Sequence, residues 1–387
     1  MAQGQYSRET KEIRAQDIYE LTQETLQNHW HLDMESRRYE AEDIWDVLIA
    51  AAVERITVEM ACNLLEEAPS PNTVRNAIHG LLADEAAMAE VQGTVNEMLV
   101  ERLPRKLLRS KLPAAIDITE ISYHGQHDED DEWIRRSKPK HGTSHFHMYA
   151  TLYVVKRNKR YTLALILVRR TDKMVDVLKR LLARGQELGL HLKRLYLDRG
   201  FDNNGVISYL QQQPFPTILP LVHRGRNGGS RRLLVGRKSH GTTYTRSSQI
   251  YEEQTFPVFV VCKYSKGRYQ RHGVVRFAYV VIGNLTLSPH QVFEEYRRRF
   301  AIESSYRLMN TVRARTTSTS VPLRLFLVAL AFLLLNLWSY VKWTHLFVPK
   351  RGPRQTLHHL LPLARWRLWL WEMVKQKGRV DGDFLHN

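Results

Sequence analysis

The sequence predicts an α/β protein with an all-α N-terminal domain and a β-rich insertion. Three observations carry that prediction. Residues 114–198 run strand, strand, strand, helix, strand; residues 1–100 hold helical patterns throughout; and at residue 223 the composition shifts to a glycine-rich basic stretch followed by further strands.

Taken in order, Asp43 to Val53 is an apolar-rich helix. Thr57 is placed to cap a second helix, Val58 to Glu67, and Ser70-Pro71 opens a third, Asn72 to Leu82, after a break at Ala68-Pro69. This outline fits a helix-turn-helix with Asn72, Thr73, Arg75 and Asn76 near the reading end, and also an ordinary αα-hairpin, which the acidic balance of the region favours. The first domain is set at 1–104. Ala114 to Tyr123 reads as a strand with Asp117 at its centre. His145 to Lys156 and Arg160 to Arg169 read as two more, joined tightly through Asn158-Lys159. Thr171 is placed to cap a helix with Val175, Leu178, Leu181 and Leu182 on one face, and Leu192 to Leu197 is a strand ending at Asp198. A short strand falls within 214–222.

Residues 223–283 form the insertion. His223 to Arg246 carries seven Lys and Arg, namely Arg224, Arg226, Arg231, Arg232, Arg237, Lys238 and Arg246, with five glycines. Phe256 to Cys262 and Val274 to Ile282 read as strands around a basic turn at 263–271. Ser288 caps the next helix, with Pro289 first and Gln291 completing a capping box. Residues 296–307 continue it as one helix, on which Tyr296, Arg299, Glu303, Arg307 and Asn310 share a stripe about 80° wide. Leu325 to Leu335 is eleven unbroken apolar residues, short of a bilayer crossing and read as a core helix. Residues 284–345 complete the α/β domain, and 346–387 form a basic end with Trp366, Trp369 and Trp371 spaced for one helix face.

The 387 residues carry a net charge of +17, but unevenly. Residues 1–100 hold 7 Lys and Arg against 19 Asp and Glu, and the remainder 50 against 21. A polyanionic partner, most simply nucleic acid, is expected on the later part. Cys62 and Cys262 support neither a disulfide framework nor a zinc site. The polar N-terminus carries no secretory signal, so a cytoplasmic, nucleoid-associated location without a membrane is expected.

Asp117, Asp198 and Glu303 are the candidate catalytic acids. Carboxylates are what a hard divalent cation prefers, and two such ions activate an attacking oxygen and stabilise a leaving one in phosphodiester chemistry. The acid run Asp128 to Glu132 reads as a solvated loop, and His124, His127, His141, His145 and His147 as surface histidines without a zinc partner set. Asp202 reads as a helix cap; Glu120 falls on the strand face opposite Asp117.

Asp-Ile-Thr-Glu at 117–120, Asp-Arg-Gly-Phe at 198–201 and the 296–307 helix together resemble the DDE transposases of prokaryotic insertion sequences, over about residues 105–345. The resemblance is to the branch with the Tyr-x2-Arg-x3-Glu-x6-Lys signature (the group-four insertion-sequence superfamily), in its archaeal-type members. It implies an RNase H-like catalytic domain, a mixed sheet flanked by helices, split by the β insertion. It further implies Mg²⁺-dependent cleavage at terminal inverted repeats and strand transfer. Two Mg²⁺ per site, with Mn²⁺ substituting, would be held by Asp117, Asp198 and Glu303. The implied partners are double-stranded DNA and a second copy in a synaptic homodimer. Tyr296 and Arg299 match the DNA-contacting positions near the cleaved end; the signature lysine falls on Asn310, with Arg307 on the same stripe to supply the charge. No tryptophan lies between 134 and 337, so a hairpin intermediate that stacks a flipped base on one is left open. The alternatives are an RNase H-like nuclease without strand transfer and a domesticated, non-catalytic DNA-binding protein.

Overall fold

The computed structural model describes residues 12–32, 34, 38–82, 88–128, 131–156, 160–226, 228–266, 272–348 and 355–377. The expected turn at Asn158-Lys159, residues 267–271 of the basic turn and residues 129–130 of the acid run lie outside these. The chain forms two compact units, residues 1–104, 157–165 and 305–387, and residues 105–156 and 166–304.

The first unit opens with α1 (Ala15–His29), α2 (Ala41–Glu54), α3 (Val58–Leu64), α4 (Pro71–Leu81) and α5 (Met88–Val100). The Thr57 side chain accepts from the Met60 N–H at the start of α3, and Ser70 from Thr73 at the start of α4, with Pro71 in its first turn. α3 is shorter than its pattern predicts. Leu65 is extended and Glu67 sits at φ 59°, so the chain leaves the helix three residues before Glu67. On α4, Asn72, Arg75 and Asn76 are exposed, while Val74 and Ile78 are buried. Arg75 is held by Glu59 at 2.7 Å and Asn72 at 2.8 Å.

The second unit starts with the short helix α6 (Arg105–Leu108) and contains one large sheet. Its strands are β1 (Leu112–Ser122), β2 (Arg135–Lys140), β3 (Thr143–Val154), β4 (Thr162–Val168), β5 (Leu192–Leu197), β6 (Thr217–Pro220), β7 (His240–Arg246), β8 (Gln254–Lys266) and β9 (His272–Ile282). The order is β2-β3-β1-β5-β6-β9-β8-β7, with β4, whose last residues 166–168 belong to this unit, also on β3. β1 lies antiparallel to β3 and parallel to β5, and β6 is parallel to β5. Three antiparallel strands followed by two parallel ones make the mixed RNase H-like sheet implied by the sequence resemblance. The insertion extends that sheet instead of forming a separate one, because β9 pairs antiparallel with β6. The flanking helices are α7 (Met174–Glu187), α8 (Asn204–Gln211) and α9 (Pro289–Arg297).

Two strands of this sheet escape the sequence reading. β2, Arg-Arg-Ser-Lys-Pro-Lys, is a mostly exposed edge strand, where charge and proline are tolerated and no apolar alternation marks it. β7 buries only Tyr244 and Arg246, too little for a pattern. The start of α7 also differs. Its N-cap is Lys173, Thr171 is exposed, and Asp172 instead accepts the Arg169 N–H at 2.8 Å and pairs with Arg180. Val177, with Leu178, Leu181 and Leu182, fills the buried face in place of Val175.

α10 (Phe300–Met309) carries the chain back to the first unit, which closes with α11 (Val321–Thr344), the short pair β10 (Phe347–Val348) and β11 (Gln355–Thr356), and α12 (Leu363–Lys377). α11 is long and apolar enough to cross a membrane by those measures, yet 83% of its most apolar window is buried. It packs with α1, α2 and α5, as a core helix does. The sequence boundary at 345 assigns this helix to the α/β domain; its packing places it with the N-terminal helices, since burying so apolar a cylinder requires neighbours on every side. Asn336, buried on it, donates to the carbonyls of Leu99 and Thr162 at 2.8 Å each and accepts from the Thr162 N–H at 3.0 Å. On α12 the buried stripe is Trp366, Leu370 and Val374; Trp369 and Trp371 stay partly exposed because their helical angles depart from it.

Candidate active site

Asp117 and Asp198 are brought together by strand register. Ile116 on β1 faces Leu197 on the parallel strand β5, so the next residue on each is an aspartate. Asp198 lies just beyond β5 and precedes a 3-10 turn at Arg199–Phe201, which turns the chain away from the sheet. A carboxylate beyond a strand's carboxyl end is where open α/β sheets gather ligands.

Glu303 arrives from the other end of the unit, and here the structure corrects the sequence. Residues 296–307 are not one helix. The predicted cap is present, with Ser288, Pro289 and a Ser288–Gln291 capping box. But α9 ends at Arg297, and α10 begins at Phe300. Across this junction Arg298, Arg299, Ala301 and Ile302 donate to carbonyls three residues back. The tightened turn advances each side chain further than 100°, so the five signature residues no longer share a continuous stripe.

The consequence is the position of Arg299. It is 6% exposed, and its guanidinium sits among all three acids. One nitrogen, Nη1, donates to Asp117 Oδ2 at 2.7 Å; the other, Nη2, lies 2.5 Å from Glu303 Oε1 and 3.6 Å from Asp198 Oδ1. Tyr296 is buried too, its hydroxyl donating to the Leu197 carbonyl at 3.1 Å and its ring 5.0 Å from that of Tyr279. Arg299 lies 5.4 Å from the Tyr296 ring centroid and 5.8 Å from that of Phe300. Tyr296 and Arg299, expected on a DNA-facing surface, are therefore turned inward. Sequence signals their presence but not this direction, which depends on the helix break. α9 is anchored by a second group absent from the sequence reading: Glu295 pairs with Arg194 and accepts from the Tyr196 hydroxyl at 2.9 Å.

Asp117 is buried, and burial pushes its carboxyl up to about 7. Arg299 pulls the other way, while Asp198 and Glu303 add to the rise. Unfolded, the group titrates near its ordinary value of about 3.9. Between these two values the folded chain keeps a proton that the unfolded chain has released. Stability contributed by this group is therefore present below about pH 4 and lost as pH rises through about 7. Asp117→Asn is expected to remove this contribution. Comparing thermal unfolding of wild type and variant across that window, the wild-type slope should exceed the variant's by up to about 1.4 kcal/mol per pH unit. Equal slopes would show that Asp117 does not titrate there.

The remaining predicted residues separate from this cluster. Arg224, Arg226, Arg231, Arg232, Arg237 and Lys238 are all exposed on the insertion. Arg307, on α10, and Asn310, in the turn after it, are exposed. Glu120 does face away from Asp117, as alternation predicts, and is held by Ser137 at 2.6 Å and Lys140. Asp202 is no helix cap. Asn203 caps α8, and Asp202 forms a buried ion pair with Arg246.

Among the described residues no three His, Cys, Asp or Glu side chains stand close enough together to hold a metal ion as placed. The three carboxylates are joined through Arg299 instead. Their chemistry nevertheless fits a hard divalent cation: only oxygen donors, three acids around one position of positive charge, and one of them buried.

A family model described as the transposase DDE domain matches residues 109–337, more than half of the chain. Among solved structures, the chain is similar to a piggyBac transposase, seen by cryo-electron microscopy as a synaptic complex with hairpin DNA. The TM-score is 0.53 at 10% identity, covering 95% of this chain and 79% of that one, a likeness of fold. No curated protein matches the chain.

Proposed function

The chain belongs to the transposase DDE-domain family, and from that premise we propose that it is the transposase of an insertion sequence of the Tyr-x2-Arg-x3-Glu-x6-Lys branch, which cuts DNA at the element's terminal inverted repeats and joins the freed end to a target. Members of the DDE family use divalent metal ions, and the ligands proposed here are Asp117, Asp198 and Glu303, holding two Mg²⁺ or Mn²⁺. The observation that carries this reading is the convergence of these three acids, from two adjacent strands and a helix far along the chain, on one shared cation.

When bound, the metal supplies Lewis acidity at the reacting phosphate and a lowered pKa for the attacking oxygen. The chain's own residues do the rest. Asp117, anchored in the sheet and accepting the Ile118 N–H at 2.9 Å, fixes one wall of the site. Asp198 and Glu303 are each about two-fifths exposed and form its open side, where a DNA strand can reach. The exposed arginines of the insertion, Arg224, Arg226, Arg231, Arg232 and Arg237, with Lys238, give the phosphate backbone its counter-charge. Two copies acting on two ends would form a synaptic homodimer.

The test is incubation of the full chain with a duplex carrying the element's own end, with Mg²⁺ or EDTA. A metal-dependent nick leaving a 3′-hydroxyl at the boundary, then joining to a target duplex, is expected. Cleavage without joining would make it a nuclease; binding without cleavage would make it a silent DNA-binding relative.

A further inference from the structure

We propose that Arg299 is a built-in counter-cation of the acidic site, which keeps Asp117, Asp198 and Glu303 assembled and competes with divalent metal for the same carboxylate oxygens. The inference rests on the reading of these acids as metal ligands.

Three features support it. The first is position. Nη2 lies between Glu303 Oε1 and Asp198 Oδ1, at 2.5 Å and 3.6 Å, while Nη1 holds Asp117 at 2.7 Å. A cation bridging the three acids would need the ground that the guanidinium holds. The second is charge. With all three ionised, one guanidinium offsets one of the three carboxylate charges, whereas a divalent ion in its place offsets two. The third is the backbone. Arg299 stands in the tightened turn between α9 and α10, outside a continuous i to i−4 ladder, and its buried Nε–H has no partner. The acids hold only the tip of the side chain, through contacts a metal would take over.

The fit also explains an apparent conflict. The signature places an arginine four residues before the catalytic glutamate, which on a helix sets the two side by side. That spacing serves an internal pair as well as a DNA contact. In this chain the pair is made, and release of Glu303 and Asp198 to metal would free Nη2 for a DNA phosphate on the open side. Metal loading and DNA engagement would then favour one another, because each removes a competitor of the other.

The experiment measures Mn²⁺ binding to the full chain without DNA, by electron paramagnetic resonance, and thermal unfolding in EDTA or Ca²⁺. Wild type, Arg299→Gln, Arg299→Lys and Asp117→Asn are compared. Arg299→Gln should bind Mn²⁺ at least about tenfold more tightly than wild type, with Arg299→Lys between them. In EDTA Arg299→Gln should unfold at lower temperature than wild type, and Ca²⁺ should close most of that gap. Mn²⁺ binding by Arg299→Gln no tighter than wild type, or an unfolding deficit that Ca²⁺ leaves unchanged, would make Arg299 a structural residue and overturn the inference alone. Failure of every variant to bind Mn²⁺, with Asp117→Asn no different from wild type, would overturn the metal-ligand reading beneath it as well.

Discussion

Asp198→Ala is expected to lower end cleavage by about 10³-fold or more, with Glu303→Gln close behind, while duplex binding stays within about twofold of wild type. The size follows from the role. A metal-bound phosphoryl centre draws several kcal/mol of transition-state stabilisation from its ion, and each 1.4 kcal/mol or so is tenfold in rate. The insensitivity of binding follows from placement. Asp198 and Glu303 are acids, and the exposed cations of the insertion lie on other residues. Removing an acid from a site that faces phosphate leaves binding intact or improves it. Gel-shift and single-turnover cleavage on the same duplex check both halves. A variant that loses binding and cleavage in parallel would show that these acids hold the site's structure; one that still cleaves would show that the chemistry lies elsewhere. Asp198 is the sharper test of the two, because its side chain is partly exposed and its ion pair to Arg299 is the longest of the three. Its loss disturbs the fold least.

The three acids were legible in the sequence because each sits where a local rule puts it. Asp117 lies within an apolar strand, Asp198 closes another, and Glu303 follows a capped helix start that the structure reproduces down to the Ser288–Gln291 box. What sequence did not disclose depends on pairings without a periodic signature. β2 carries no apolar alternation and exists because β3 offers it an edge. β7 exists because β8 pairs with it from Gln254 to Val260. The break at Arg298 and Arg299 contains neither proline nor glycine; it is set by what Arg299 meets once the chain has folded. The same holds for α11, whose apolar run predicts burial but not the neighbours that bury it. Local chemistry is readable one segment at a time, whereas the direction of Arg299 requires Asp117, 182 residues away.

Asp202 leads to the second large effect, on stability. Its side chain is fully buried and pairs with Arg246, itself 5% exposed, at 2.7 Å. Further hydrogen bonds hold both side chains, although the buried Nη2 of Arg246 has no hydrogen-bond partner among the described residues. Asp202 Oδ2 accepts the Val222 N–H at 2.6 Å, Arg246 Nε donates to Asn204 Oδ1 at 2.6 Å, and Asn204 donates in turn to the carbonyls of Arg246 and Glu252. The network thus fastens the loop that carries Asp198 to the exit of β6, where the insertion leaves, and to the end of β7 within the insertion. Asp202→Ala leaves a guanidinium buried without its counter-charge, and an uncompensated buried charge costs about 3–5 kcal/mol. Replacing both partners by apolar residues, Asp202→Val with Arg246→Met, removes the stranded charge and should recover most of that loss. Urea unfolding of the two variants against wild type checks the pair: a single variant no less stable than wild type would mean that the charges are not buried together. Cleavage by the double variant then separates two roles. The apolar pair fills space but cannot hold Val222 and Asn204 by hydrogen bonds, so the Asp198 loop gains freedom while the fold survives. End cleavage by the stable double variant should therefore fall by about 10²-fold, the loss that a misplacement of roughly 1 Å brings to an oriented reaction. Full activity in that variant would show that the sheet register at Ile116 and Leu197 alone positions Asp198.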